Sequence, residues 1–160
     1  MKLFSAIILA LLVLTPSLAT SATNPPRIGK LVMPPEYWGY ILEAAEKYRV
    51  RPAVIAGVMA IESCYNPRAS SEGGRCYGLM QLDRDVARRL GVDRRDPWQS
   101  IMGGAQILAR LLDRYQGDLR LAVRAYNGTG NKAYLREVLK AVNQAEETTK
   151  INPRRTLCPK

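Results

Sequence analysis

The chain has 160 residues, enough for one domain with a real core. It contains no histidine, which excludes Ser-His and Cys-His nucleophilic machinery and removes the commonest metal ligand. Any catalysis must therefore rest on carboxylates, hydroxyls or amides. The formal charge is +10, of which the first 22 residues supply only Lys2. A basic chain has three candidate partners: nucleic acid, anionic lipid or an acidic wall polymer. The basic residues are scattered rather than clustered with aromatics and no nucleic-acid module is present, so a solubilising surface charge explains them equally well.

Residues 1–22 read as a secretory signal peptide. Lys2 precedes the apolar run Leu3 to Leu14, and small residues at Ser17, Ala19, Thr20 and Ala22 follow. Cleavage after Ala19 or after Ala22 fits. The run is short for a membrane span, and no other segment is apolar enough to cross a bilayer. The expectation is an exported protein, periplasmic or secreted, and monomeric.

Residues 23–35 carry Asn24-Pro25-Pro26, Gly29 and Met33-Pro34-Pro35, an extended lead-in. A helix is predicted from about Glu36 to Tyr48, with Tyr37, Tyr40, Ile41, Ala44, Ala45 and Tyr48 on one side. Pro52 opens a second helix, which carries Glu62. Residues 64 to 82 hold Asn66-Pro67, Ser70-Ser71 and Gly73-Gly74, and this turn density predicts a loop or short hairpin. A short helix spans about Arg84 to Leu90 and stops at Gly91. Asp96-Pro97 then caps a helix in which Ile101, Ala105, Leu108, Leu112 and Tyr115 recur at helical spacing up to Gly117. Asp118 caps the next helix, Leu119 to Tyr126, and Lys132 to Ala145 forms another. The domain is expected over 36–148 with a tail at 149–160.

Glu62 interrupts an otherwise apolar stretch, Ala53 to Ser63. In a helix, Ile55, Val58 and Met59 share its face. A charge on an apolar stripe is costly unless paired, protonated or used, and a carboxyl there tends towards a raised pKa, which suits a general acid. The simpler alternative is a buried structural carboxylate paired with an arginine. Cys64 and Cys76 are twelve residues apart and close a small loop if oxidised, and Cys158 is the odd thiol in the tail. We expect Cys64–Cys76 to pair, although connectivity is open in sequence alone.

An ordered set of short motifs follows: Glu62-Ser63, then Tyr65-Asn66-Pro67 and Ala69-Ser70-Ser71, then Gly78-Leu79-Met80-Gln81, then Ala125-Tyr126-Asn127. This set resembles the signature of soluble lytic transglycosylases and goose-type lysozymes, over roughly Tyr37 to Leu139. The resemblance implies a mainly α, lysozyme-like α+β fold. It also implies cleavage of peptidoglycan at the β-1,4 bond between N-acetylmuramic acid and N-acetylglucosamine, with no metal or organic cofactor. Glu62 matches the family's catalytic acid. The residues matching its cleft are Ser63, Gly78, Met80, Gln81, Tyr126 and Asn127, with local structure as the simpler role for Ser63. Gly78 would permit close approach of backbone or sugar. A strand at 78–81 would place Leu79 and Gln81 on one face and Met80 on the other.

Two departures bear on the reaction. Position 83 is acidic, Asp83, where many transglycosylases have methionine, and Glu72 sits nine residues before Gln81. Either could be a second carboxylate that activates water, as a hydrolase requires. Without one, the sugar's own C6 hydroxyl attacks and leaves a 1,6-anhydro end. We expect the transglycosylase outcome. Arg84, Arg88 and Arg89 could hold the polymer's peptide carboxylates, or be plain surface charge. A reading of another class is a weakly active wall-binding component of a secretion or appendage machine.

Overall fold

Proline and aspartate set the helix starts, as the sequence predicts at Pro52, Asp96-Pro97 and Asp118, while Pro35 and Asp83 do so where the sequence reads as a lead-in and a candidate acid. Pro35, Pro52 and Pro97 open α1 (Pro35–Tyr48), α2 (Pro52–Ser63) and α4 (Pro97–Arg114). Asp83, Asp96 and Asp118 accept backbone N–H bonds at the starts of α3 (Arg84–Leu90), α4 and α5 (Leu119–Asn127). Gly91 and Gly128 close α3 and α5 in the left-handed conformation, which costs glycine least. The computed structural model describes residues 24–151 except Thr129, without the side chains of Glu72 and Ile151. The expected signal peptide and the segment from Asn152 onward, with Cys158, lie outside the described residues.

The last helix, α6, spans Lys132–Ile151, past the predicted end at Ala145. Between α2 and α3 lie one 3-10 turn (Glu72–Gly74) and a two-stranded antiparallel hairpin, β1 (Cys76–Tyr77) and β2 (Leu82–Asp83). Its register pairs Cys76 with Asp83 and Tyr77 with Leu82. The expected strand at 78–81 is instead the turn of this hairpin. Leu79 and Met80 are both fully buried, so the alternation expected across a pleat does not occur.

Helix α2 is the axis of the domain. Every residue from Ala53 to Ala60 is buried, so α2 has no apolar stripe facing away from a polar one. It is apolar all round because α1, α4 and α6 surround it, the pattern of a core helix. Glu62 sits in the last turn, where the helix runs out of the core. Helix α6 comes close at Gly57, where an added Cβ would lie 2.7 Å from Val142 Cγ2 and 2.9 Å from the Val142 backbone nitrogen. Among the described residues no helix is long and apolar enough to cross a membrane.

Gly57→Ala should therefore lower stability despite alanine's better helix propensity. The Val142 backbone cannot rotate away, and overpacking of this kind costs about 1–3 kcal/mol. A thermal or urea melt measures it; an unchanged midpoint would mean that α6 shifts freely on α2.

Candidate active site

Glu62 is half-buried at the C-terminal turn of α2. Tyr134, in the first turn of α6, is buried and donates its hydroxyl to Glu62 Oε1 at 2.5 Å. Two opposing effects act on the carboxyl. Burial raises its pKa above the ordinary value of 4.5, and the Tyr134 hydrogen bond lowers it; the first is larger, and the pKa is raised. The carbonyl end of the α2 dipole adds a push in the same direction as burial. Burial and the neighbouring Glu62 hold the Tyr134 phenol above its usual range, so it remains a donor. The alternative of an arginine partner does not hold among the described residues, where the ion pairs are Arg51–Glu146, Arg75–Asp83 and Arg88–Asp85.

A cavity of about 700 Å³ opens between the hairpin, α3, α4 and the end of α5. Gln81, Asp83, Tyr126 and Asn127 line it, with Ile107 and Leu111 as apolar wall. Tyr126 lines this cavity and also feels the charge of Glu62, which is not itself among the lining residues. Its hydroxyl donates to the Met80 carbonyl at 2.9 Å, and the Glu62 charge adds to burial in raising its pKa. The phenol thus fastens the hairpin turn to α5 rather than bonding the acid itself.

The other sequence-predicted residues divide by what they touch. Gln81 adopts φ 44° and its Nε2 donates to the Ala69 and Gly78 carbonyls at 2.9 and 3.0 Å. Both amide hydrogens brace the loop, so only the carbonyl oxygen of this amide is left to meet a ligand. Gly78 is needed for backbone, not sugar: at φ 83° an added Cβ would lie 2.1 Å from the Arg94 carbonyl oxygen. Met80 is fully buried against Gly104 in α4, so its side chain is core and not cleft. Ser63 is buried and donates to the Met59 carbonyl one turn back at 3.1 Å, the local role. The backbone of Glu72 begins the 3-10 turn, and its side chain lies outside the description.

Asp83 lines the cavity but has other partners. Its Oδ1 accepts the N–H groups of Asp85 and Val86 at 2.8 and 3.2 Å, and Oδ2 accepts from Arg75 Nε at 2.6 Å. The Arg75 bond first, then the cap, hold its pKa down at about 2. The expected Cys64–Cys76 bond is not formed: both are free thiols. Cys64 ends α2 in a left-handed conformation and is exposed, while Cys76 turns into the cavity wall. Of the flagged arginines, Arg88 pairs with Asp85 and Arg89 lines the cavity.

Sequence reasoning missed two residues. Tyr134 lies within the helix predicted from Lys132 to Ala145 with no local mark of its role; its contact with Glu62 spans 72 residues. Arg94 sits in Asp93-Arg94-Arg95-Asp96, which reads as surface charge. It is buried, and its guanidinium donates to the carbonyls of Gly74, Arg75 and Leu82, the Gly74 and Leu82 bonds being 3.1 Å each. Arg94 and Arg95 also flank the Tyr77 ring, 5.9 and 5.6 Å from its centroid. One side chain thus ties β2 and the turn before β1 to the loop before α4.

A mostly helical body with one small hairpin and a desolvated carboxyl on its central helix defines a lysozyme-like domain. The chain belongs to the transglycosylase SLT domain family, whose model matches residues 39–151. It is 41% identical over 117 residues to a protein named transglycosylase from Enterobacteria phage PRD1, covering 68% of this chain and 43% of that protein. It is 42% identical over 100 residues to membrane-bound lytic murein transglycosylase F 1 of Alkalilimnicola ehrlichii, covering 58% of this chain and 20% of the relative. Membrane-bound lytic murein transglycosylase F of Pseudomonas fluorescens is 35% identical over 105 residues, covering 61% of this chain and 21% of the relative. The chain therefore spans under half the length of each of these relatives.

Two outcomes follow. Because the folded-state pKa of Glu62 is raised, its ionisation disfavours the fold once pH climbs above 4.5 and through the raised value. Glu62→Gln should then melt higher than the wild type at pH 7, and the gap should close below pH 4.5, which parallel melts across pH will read. Arg94→Lys replaces a three-carbonyl fork by one point donor. It should cost about 2–4 kcal/mol through the carbonyls left without partners, measured by urea unfolding.

Proposed function

We propose that the protein is an exported peptidoglycan lytic transglycosylase. It acts on the N-acetylmuramic acid–β-1,4–N-acetylglucosamine bond, with Glu62 as acid and then base. The observation that carries this reading is the contrast between two carboxyls. Glu62 is desolvated with a raised pKa, whereas Asp83 is held ionised by three hydrogen bonds with a pKa of about 2. The first suits proton donation; the second is too weak a base, and too fully engaged, to activate water.

In this mechanism the protonated Glu62 gives its proton to the glycosidic oxygen. The bond from C1 of the muramic sugar to that oxygen breaks, and positive charge develops at C1 and the ring oxygen. The same sugar's C6 hydroxyl attacks C1 and returns its proton to the Glu62 carboxylate. The products are a 1,6-anhydromuramoyl end and a free 4-hydroxyl, with no water consumed. The Tyr134 hydroxyl on Oε1 steadies the carboxylate between the two proton transfers and leaves Oε2 for the substrate. Gln81 Oε1 and Asn127 are the proposed sugar contacts at the cavity wall. The apolar run Leu3 to Leu14 after Lys2, read as a signal peptide, supports export, and the relatives' names as murein transglycosylases support this substrate.

Mass analysis of fragments released from purified peptidoglycan tests the reading. Anhydro ends, one water lighter than reducing ends, are expected from the wild type. Glu62→Gln should reduce turnover by about a thousandfold, within the range for loss of a general acid. Asp83→Asn should retain most turnover, since asparagine still caps α3. Reducing ends only, together with loss of activity in Asp83→Asn or Glu72→Gln, would establish hydrolysis instead. Full retention of function in Glu62→Gln would establish a wall-binding role.

A further inference from the structure

A cavity of about 900 Å³ lies between α5 and α6 and shares no lining residue with the cleft around Gln81 and Tyr126. Its floor is leucine: Leu135 and Leu139, one turn apart on α6, face Leu121 on α5, which is 41% exposed. Its rim is cationic. Arg120 and Arg124 from α5, and Lys132, Arg136 and Lys140 from α6, all line it and are all exposed. No ion pair among the described residues neutralises any of the five. Of the two acids at the groove, Asp118 is engaged as the N-cap of α5, and only Glu147 is left at the far end.

We infer that this groove is a docking site for an acidic amphipathic helix of a partner protein. The lining on α6 runs from Lys132 to Glu147, about 22 Å at 1.5 Å per residue, which holds roughly four turns of a partner helix. An apolar stripe at helical spacing fits the leucine floor, and flanking carboxylates meet cations on both walls. The alternatives fit less well. A bilayer surface is flat and would reach the rim but not the floor. A glycan strand would find amides at Asn143 and Gln144 but would leave the three leucines and the five cations without a matching apolar or anionic partner. A second copy of this chain would bring five cations against five. The groove shares no lining residue with the cavity at Gln81 and Asn127, so docking there can anchor the enzyme while that cavity stays open.

The test uses the full-length chain and a fluorescent 18-residue synthetic helix with a leucine stripe and glutamate flanks. Its counterpart with lysine flanks and vesicles of phosphatidylglycerol serve as competitors. The acidic helix should bind saturably, with amide NMR shifts gathered on α5 and α6. Arg124→Glu with Lys140→Glu should weaken binding by about tenfold, and added salt should weaken it too. Peptidoglycan cleavage by the double variant should stay at the wild-type level. The inference is overturned by no saturable binding, by equal binding of the lysine helix, by indifference to charge reversal, by preference for vesicles, or by loss of cleavage in the double variant.

Discussion

A carboxyl group held at the end of a helix with no exposed face is the constraint on which this structure turns. Helix α2 is apolar on every side because three other helices enclose it, and Glu62 is the first position at which it can carry charge. Desolvation at that point makes the carboxyl reluctant to ionise. The fold therefore favours the protonated form of this carboxyl by burying the helix that presents it. Tyr134 offsets part of this cost with a single hydrogen bond, so the acid is biased towards protonation without being fixed in that state.

The rest of the cleft is less a set of substrate contacts than a set of fasteners. Gln81 braces its own loop, Tyr126 ties that loop to α5, and Arg94 ties β2 and the turn before β1 to the segment before α4. Gly78 lets the Arg94 carbonyl press against the turn. Catalysis by proton transfer demands geometry within a fraction of an ångström, and a two-residue strand pair cannot supply that rigidity alone. A short hairpin crossed by a buried guanidinium and clamped by a phenol can. Residues that match the family's motif thus act mainly by holding the loop, which is why Met80 belongs to it while being wholly buried.

Asp83 illustrates how the partners of a carboxyl, rather than its position on a cavity wall, set its basicity. It lies on the cavity wall at a place that invites a catalytic reading, and its oxygens are taken by a helix cap and by Arg75. Its depressed pKa is a consequence of those bonds and makes it a poor base. Cys64 and Cys76 are a similar case. Their spacing suits a small loop, but one thiol faces solvent at the end of α2 and the other faces the cavity. Spacing along the chain says nothing about the direction of a side chain.

Much of the fold was legible because its signals are local. Helix starts follow from Pro52, Asp96-Pro97 and Asp118, and the span of α3 matches the predicted stretch from about Arg84 to Leu90, since caps act within one turn. Glu62 was legible because a charge inside an apolar run is a local anomaly. Its electrostatic setting was not, because Tyr134 lies 72 residues away and carries no local mark of its role on its own helix. Arg94 was hidden for the same reason: a guanidinium flanked by aspartates looks solvated until the carbonyls it bridges are brought around it. The sequence by itself determined the helices, the acid and the turn-rich excursion after it. Only the tertiary structure decided which polar atoms lose their water and which partners replace it, because burial belongs to the packed assembly and to no single segment.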